Sequence, residues 1–174
     1  MHSDAPTMTS LERNDLLDTL ANHRTFLHRT VRGLTDEQAR LRPTASELCL
    51  GGIIKHVALV EEGWARFIVE GPSVIGPADE AAYEAHASGF HLLDGESLPL
   101  VLARYDDVAG RTDELVVAVP SLDASHPLPE APWFEPGARW SARRVFMHII
   151  AETAQHAGHA DIIRESLDGA KSMG

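Results

Sequence analysis

Three side chains carry the chemistry that this sequence offers: His56, Glu152 and His156. Glu152 and His156 stand four residues apart, so on a helix they project from one face and converge. His56 sits between Ile53 and Val60 in a separate apolar run, on a side that can meet that face. Two imidazoles and a carboxylate suit a borderline divalent cation, zinc first and nickel second, and leave a position open for water or substrate. Such a donor set belongs to a catalytic metal site rather than a closed structural one. The flanking residues sharpen the reading. Val145, Ile149, Glu152, His156, His159 and Ile163 advance in steps of four and three, the stripe of a helix that faces a core. A carboxylate and imidazoles buried there cost several kcal/mol unless they are paired or ligate a metal. On a solvent-facing helix the same Glu-His spacing is a surface pair worth about 1 kcal/mol at most. His148, one turn before Glu152, faces the same place. His2, His23, His28, His86, His91 and His126 gain no role from their spacing.

Four long helices must position these groups. The first is expected from about Leu11 to Arg32, capped by Ser10 and stopped by Gly33, with Leu16, Leu20, His23, Leu27 and Val31 inward. A short helical turn follows at Thr35-Asp36-Glu37-Gln38, closed by Pro43. The second long helix runs from about Leu50 to Val69, with Ile53, Val57, Val60, Trp64 and Phe67 inward, and ends at Gly71-Pro72. Mixed polarity between Ser73 and Glu96 leaves room for a short helix around Asp79 to Ala87. The third long helix spans Ser97 to Val119, with Val101, Tyr105, Val108 and Leu115 inward. Five prolines mark Pro120 to Arg139 as a long loop. That loop feeds the last helix, and Trp133 and Phe134 give it one wall of a substrate opening; a surface crossover with two packed aromatics is the alternative. The last helix begins after Ser141, a good N-cap, and stops at Asp168-Gly169. No stretch alternates at period two, so no strands are expected. The elements compose one all-α domain over residues 1–174, with 1–9 as a flexible tail.

Composition narrows the partners. A net charge of −11 gives no basic face for nucleic acid. No apolar run approaches the roughly 20 residues that span a bilayer, and the polar start lacks the layout of a signal peptide. A cytoplasmic protein is expected. The one cysteine, Cys49, allows neither an intramolecular disulfide nor a thiolate cluster, and it is expected to lie inert in the core. Thirteen arginines against two lysines, with plentiful Ala and Gly, suggest a GC-rich genome.

Three ordered blocks resemble the DinB-like superfamily, specifically its actinobacterial DUF664 branch. They are Gly33-Leu34-Thr35-Asp36-Glu37-Gln38-Ala39-Arg40, then Leu50-Gly51-Gly52-Ile53-Ile54-Lys55-His56 with Glu61-Glu62-Gly63-Trp64, and finally His148 to Asp161. The resemblance covers nearly the whole chain. It implies an up-down-down-up four-helix bundle in which one histidine of the second long helix, matching His56, and two residues of the last, matching Glu152 and His156, hold the metal. Many relatives carry histidine where Glu152 stands; the glutamate is similar to that of members like the mycothiol-dependent maleylpyruvate isomerase. His159 falls one turn beyond and is read either as a group that supports the ligands or as an alternative ligand. The resemblance further implies transfer of a low-molecular-weight thiol, mycothiol in a GC-rich organism, to an electrophile, and a homodimer. With the last helix so close to the end of the sequence, no isomerase-type C-terminal domain is expected, which disfavours isomerase activity.

Two other functional classes stay open. The same site can activate water as a metal-dependent hydrolase, or it can bind metal without catalysis in a stress response. A di-iron carboxylate enzyme is disfavoured, because it needs Glu-x-x-His motifs on two helices and the first three helices offer none.

Overall fold

The computed structural model describes residues 8–76 and 79–172. Its long helices are α1 (Met8–Thr30), α3 (Leu50–Glu70), α5 (Leu98–Ala118) and α6 (Ala142–Asp168), with short α2 (Asp36–Arg40) and α4 (Glu80–Gly89) between them. A single 3-10 turn, Gly71–Val74, follows α3.

Local signals fix most of these boundaries. The Thr35 hydroxyl accepts from the Gln38 amide while the Gln38 side chain accepts from the Thr35 amide, a capping box that starts α2. Ser141 caps α6 by accepting from the Arg144 amide at 3.2 Å. Gly169, at φ 80°, ends α6 in the left-handed conformation that favours glycine. The first helix departs from expectation: it is already helical at Met8, so Ser10 lies inside α1 rather than capping it. Residues 1–7 of the expected tail lie outside the described residues.

The bundle order follows from pairs at the helix ends. Arg143 at the start of α6 pairs with Glu12 near the start of α1, and Arg164 near the end of α6 donates to the Thr30 carbonyl at 2.9 Å. These two helices are parallel. Arg13 of α1 donates to the Val119 carbonyl after α5 at 2.7 Å, while His28 at the other end of α1 approaches Asp106, so α1 and α5 are antiparallel. His56 faces His156 and Trp64 faces His148, which makes α3 and α6 antiparallel. The result is an up-down-down-up four-helix bundle, as expected. Among the described residues, no helix is long and apolar enough to cross a membrane.

The apolar interior is in two parts. One gathers Leu27, Ile53, Val57, Val101 and Ile163; the other gathers Leu20, Phe67, Val116, Phe146 and Ile149. Between them every long helix contributes a buried polar residue: Arg24, Glu61, Thr112 and Thr153. The threonines satisfy themselves on carbonyls one turn back. Glu61 and Arg24 correct the expected stripes, since they are buried while Val60, Trp64 and His23 are only half-buried. In α5 the buried residue is likewise Val116 rather than Leu115.

The Pro-rich segment is not wholly irregular. Ser125–Pro127 (β1) and Arg139–Ser141 (β2) pair antiparallel with Ser125 opposite Ser141 and Pro127 opposite Arg139. This contradicts the expectation of no strands. Each strand is three residues long, too short for alternation to register in sequence.

Candidate metal centre

Antiparallel packing of α3 on α6 brings His56 against His156, with ring centroids 4.7 Å apart. Glu152 stands one turn before His156, and its Oε2 lies 3.6 Å from His156 Nε2. One donor atom from each of His56, Glu152 and His156 falls within 4.8 Å of the others. Both histidines are buried and the carboxylate is half-buried. The residues singled out by spacing are therefore neighbours in space.

Phe90 and His86 complete the surroundings, and neither was visible to sequence reasoning. Phe90 stacks on His56 at 3.8 Å between centroids, with the planes 18° apart. Its approach requires the glycine one turn before His56: a Cβ on Gly52 would stand 1.7 Å from the Phe90 carbonyl oxygen. Gly52, with Gly51 beside it facing Leu92, is the signal in the sequence that another chain segment lies close here. His86 of α4 meets the His56 ring edge-on at 5.3 Å. Lys55 tethers the segment after α4, donating to Glu96 at 2.8 Å and to the His91 carbonyl at 3.1 Å.

Burial gives the donors complementary charge states. It is the main cause that pushes His56 down to about 4, with His156 and His86 adding to it, so the ring is neutral near pH 7 with a free lone pair. The approach of His156 holds the Glu152 carboxyl below the usual carboxylate range, against the opposing effect of burial. A neutral imidazole and an ionised carboxylate are the forms that ligate a cation.

Two further histidines flank the cluster. His159 Nδ1 lies 3.5 Å from His156 Nδ1, which leaves His156 Nε2 directed at Glu152. The other is His148, whose Nε2 is 3.7 Å from Glu152 Oε1. Its ring stands edge-on to both Trp64 and Trp140 at 5.0 Å, and burial lowers its pKa. Cys49 is buried, as expected, beside the Phe90 carbonyl, and takes no part in the cluster.

The donor set passes a simple test of fit. Ligands of a tetrahedral zinc stand about 3.3 Å apart; Glu152 and His156 at 3.6 Å are near that spacing, and the whole set lies within 4.8 Å. No Lys or Arg side chain forms an ion pair with Glu152 among the described residues; its near neighbours are His148 and His156. A cation between the three would meet the need of a half-buried carboxylate.

The bundle is that of a DinB-like protein. A family model described as mycothiol S-transferase matches residues 15–169, and the chain belongs to that family. Among solved structures, a conserved protein from Enterococcus faecalis superposes with a TM-score of 0.64 at 13% identity, over 95% of this chain and 100% of that one. At that identity the likeness concerns the fold alone. No curated protein matches the chain.

Proposed function

We propose that the chain is a metal-dependent S-transferase that joins a low-molecular-weight thiol of the mycothiol type to an electrophile, with His56, Glu152 and His156 holding a divalent cation, zinc before nickel. The observation that carries the reading is the convergence of those three donors from α3 and α6 within 4.8 Å, in a chain of the mycothiol S-transferase family. When bound, the cation lowers the pKa of a thiol and favours its thiolate near neutral pH.

The chain's own groups prepare that chemistry. Neutral His56 and ionised Glu152 supply donors without first losing a proton at pH 7. Phe90 covers one face of His56, which excludes water and fixes the ring plane. His159 orients His156 through its Nδ1, and His148 steadies the second oxygen of Glu152. In the reaction the thiol gives up its proton to solvent and the sulfur forms a bond to the electrophilic carbon. The leaving group departs with the electron pair of the bond that breaks.

Purification without a nickel column, followed by metal analysis, is expected to give about one equivalent per chain. Conjugation of mycothiol to a haloaromatic or bimane electrophile then requires the metal and stops on chelation. Turnover of an ester or amide at equal rate without thiol would overturn the transferase reading in favour of the hydrolase.

A further inference from the structure

A cavity of about 420 Å3 lies between α4 and the segment that joins β1 to β2, within the range of small-molecule sites. Tyr83 and His86 line it from α4, and Trp133 and Phe134 from the opposite wall. Tyr83 and Trp133 meet edge to face, 6.4 Å between centroids, yet are 56% and 59% exposed. Two large aromatic side chains thus border one opening with much of their surface uncovered.

The cavity reaches the candidate metal centre by two separate routes. His86 lines it and also meets the His56 ring at 5.3 Å. Phe134 packs edge-on against Trp140 at 5.8 Å, Trp140 meets His148 at 5.0 Å, and His148 faces Glu152. A molecule in the cavity is therefore separated from the His56–Glu152–His156 cluster by one side chain, His86, on the first route and by three, Phe134, Trp140 and His148, on the second.

We propose that this cavity binds the second substrate, a flat, uncharged aromatic electrophile, held by Tyr83 and Trp133 with its reactive carbon towards His86 and the cluster. The proposal rests on the thiol-transfer reading above for the role, though not for the binding. The lining holds one carboxylate, Glu130, and neither Lys nor Arg, so it repels anions. A hydroxyl-rich thiol would lose its water partners against such walls without replacing them. Flat apolar rings, by contrast, gain from both aromatic stacking and burial. The thiol sulfur bonds to the ring carbon, the halide leaves with the electron pair of the broken bond, and the thiol proton goes to solvent.

The test is equilibrium binding of N-phenyl-1-naphthylamine, an uncharged fluorescent aromatic, to the metal-free full chain, beside its sulfonated anionic analogue. One saturable site is expected for the neutral dye, at least tenfold weaker in Trp133→Ala and in Tyr83→Ala, with metal uptake unchanged in both. The anionic analogue is expected to bind more weakly and to gain affinity in Glu130→Gln. Unchanged dye binding in both aromatic variants, or preference for the anion, overturns the proposal. Because the dye assay needs neither thiol nor metal, it separates the two ideas. Dye binding with these losses but no thiol transfer sinks the transferase reading alone, whereas thiol transfer with unaltered dye binding in the variants sinks the cavity assignment alone.

Discussion

Arg24 and Glu61 in mid-bundle, and the His56–Glu152–His156 cluster nearby on α3 and α6, solve the same problem of polar groups inside a helical core in opposite ways. Glu61 is fully buried, and Arg24 donates to it from Nε at 3.3 Å while reaching Asp113 at 2.7 Å. Charge is matched by charge within the chain, and the unmet polar atom nearby is the Tyr105 hydroxyl. The cluster gathers donors of lone pairs on one another, and among the described residues no Lys or Arg pairs with Glu152. One arrangement is closed and holds the fold; the other presents the lone-pair donors on which the proposed metal site rests. Burial of polar residues alone does not mark a functional site. The distinguishing property is whether the partners are already in the chain.

That contrast can be broken first at the closed pair. Arg24→Met leaves the Glu61 carboxylate buried without its cation and is expected to lower stability by about 3–5 kcal/mol, measured by urea unfolding. The double variant Arg24→Met with Glu61→Leu is expected to recover most of that loss. If Arg24→Met costs no more than an exposed substitution, the pair does not hold the bundle.

The open cluster is expected to respond to metal instead. Zinc at a hundredfold excess over its Kd stabilises the folded chain by about 2.7 kcal/mol, and the gain vanishes in His56→Ala and Glu152→Ala, whose helicity persists. A rise in Tm on zinc addition that survives in both variants would show that the ion sits elsewhere. Acid sharpens the same point in the metal-free chain. His56 is depressed to about 4 from the ordinary 6.5, so between those values the unfolded chain takes up a proton that the folded chain refuses. Stability therefore falls as pH drops through that window, and His56→Gln is expected to flatten the fall.

A smaller effect is expected from Gly52→Ala, which forces Phe90 off its seat. Overpacking of this kind costs about 1–3 kcal/mol and is expected to loosen metal binding as well, read by competition with a chelator dye. Unaltered affinity would mean that the Phe90 stack does not hold His56. The smallest change is assigned to His159→Ala: about a tenfold loss of metal affinity, at the low end for groups that orient a ligand, with stability of the metal-free chain hardly moved.

Much of this was legible in the chain because it is written in local spacing. Helix periodicity and the Ser141 and Gly169 caps gave the elements, and the four-residue step from Glu152 to His156 gave two of the three members of the cluster. The family resemblance supplied the bundle order, which the helix-end pairs bear out. What escaped is what depends on a partner far along the chain. Glu61 is buried because Arg24 on another helix meets it, and periodicity assigned its neighbour Val60 to the core instead. Phe90 and His86 lie on segments whose mixed polarity predicts only a short helix, so nothing local announces that they face His56. Ser10 offered a cap, but α1 begins upstream of it.

The ribbon of β1 and β2 has a consequence for how this chain can change over time. It ties the two ends of residues 128–138 together, with the Leu128 amide donating to the Ala138 carbonyl at 2.8 Å and the Ala142 amide donating to the Ala124 carbonyl at 2.9 Å beyond it. Lengthening a segment clamped in this way costs little, about 0.6 kcal/mol for a doubling. The strain of an insertion stays on the far side of the clamp and does not reach the first turn of α6. Trp133 and Phe134 can therefore be exchanged or spaced anew while Glu152 and His156 keep their places, so descendants of one bundle can diverge along this segment without rebuilding the helix that carries the cluster.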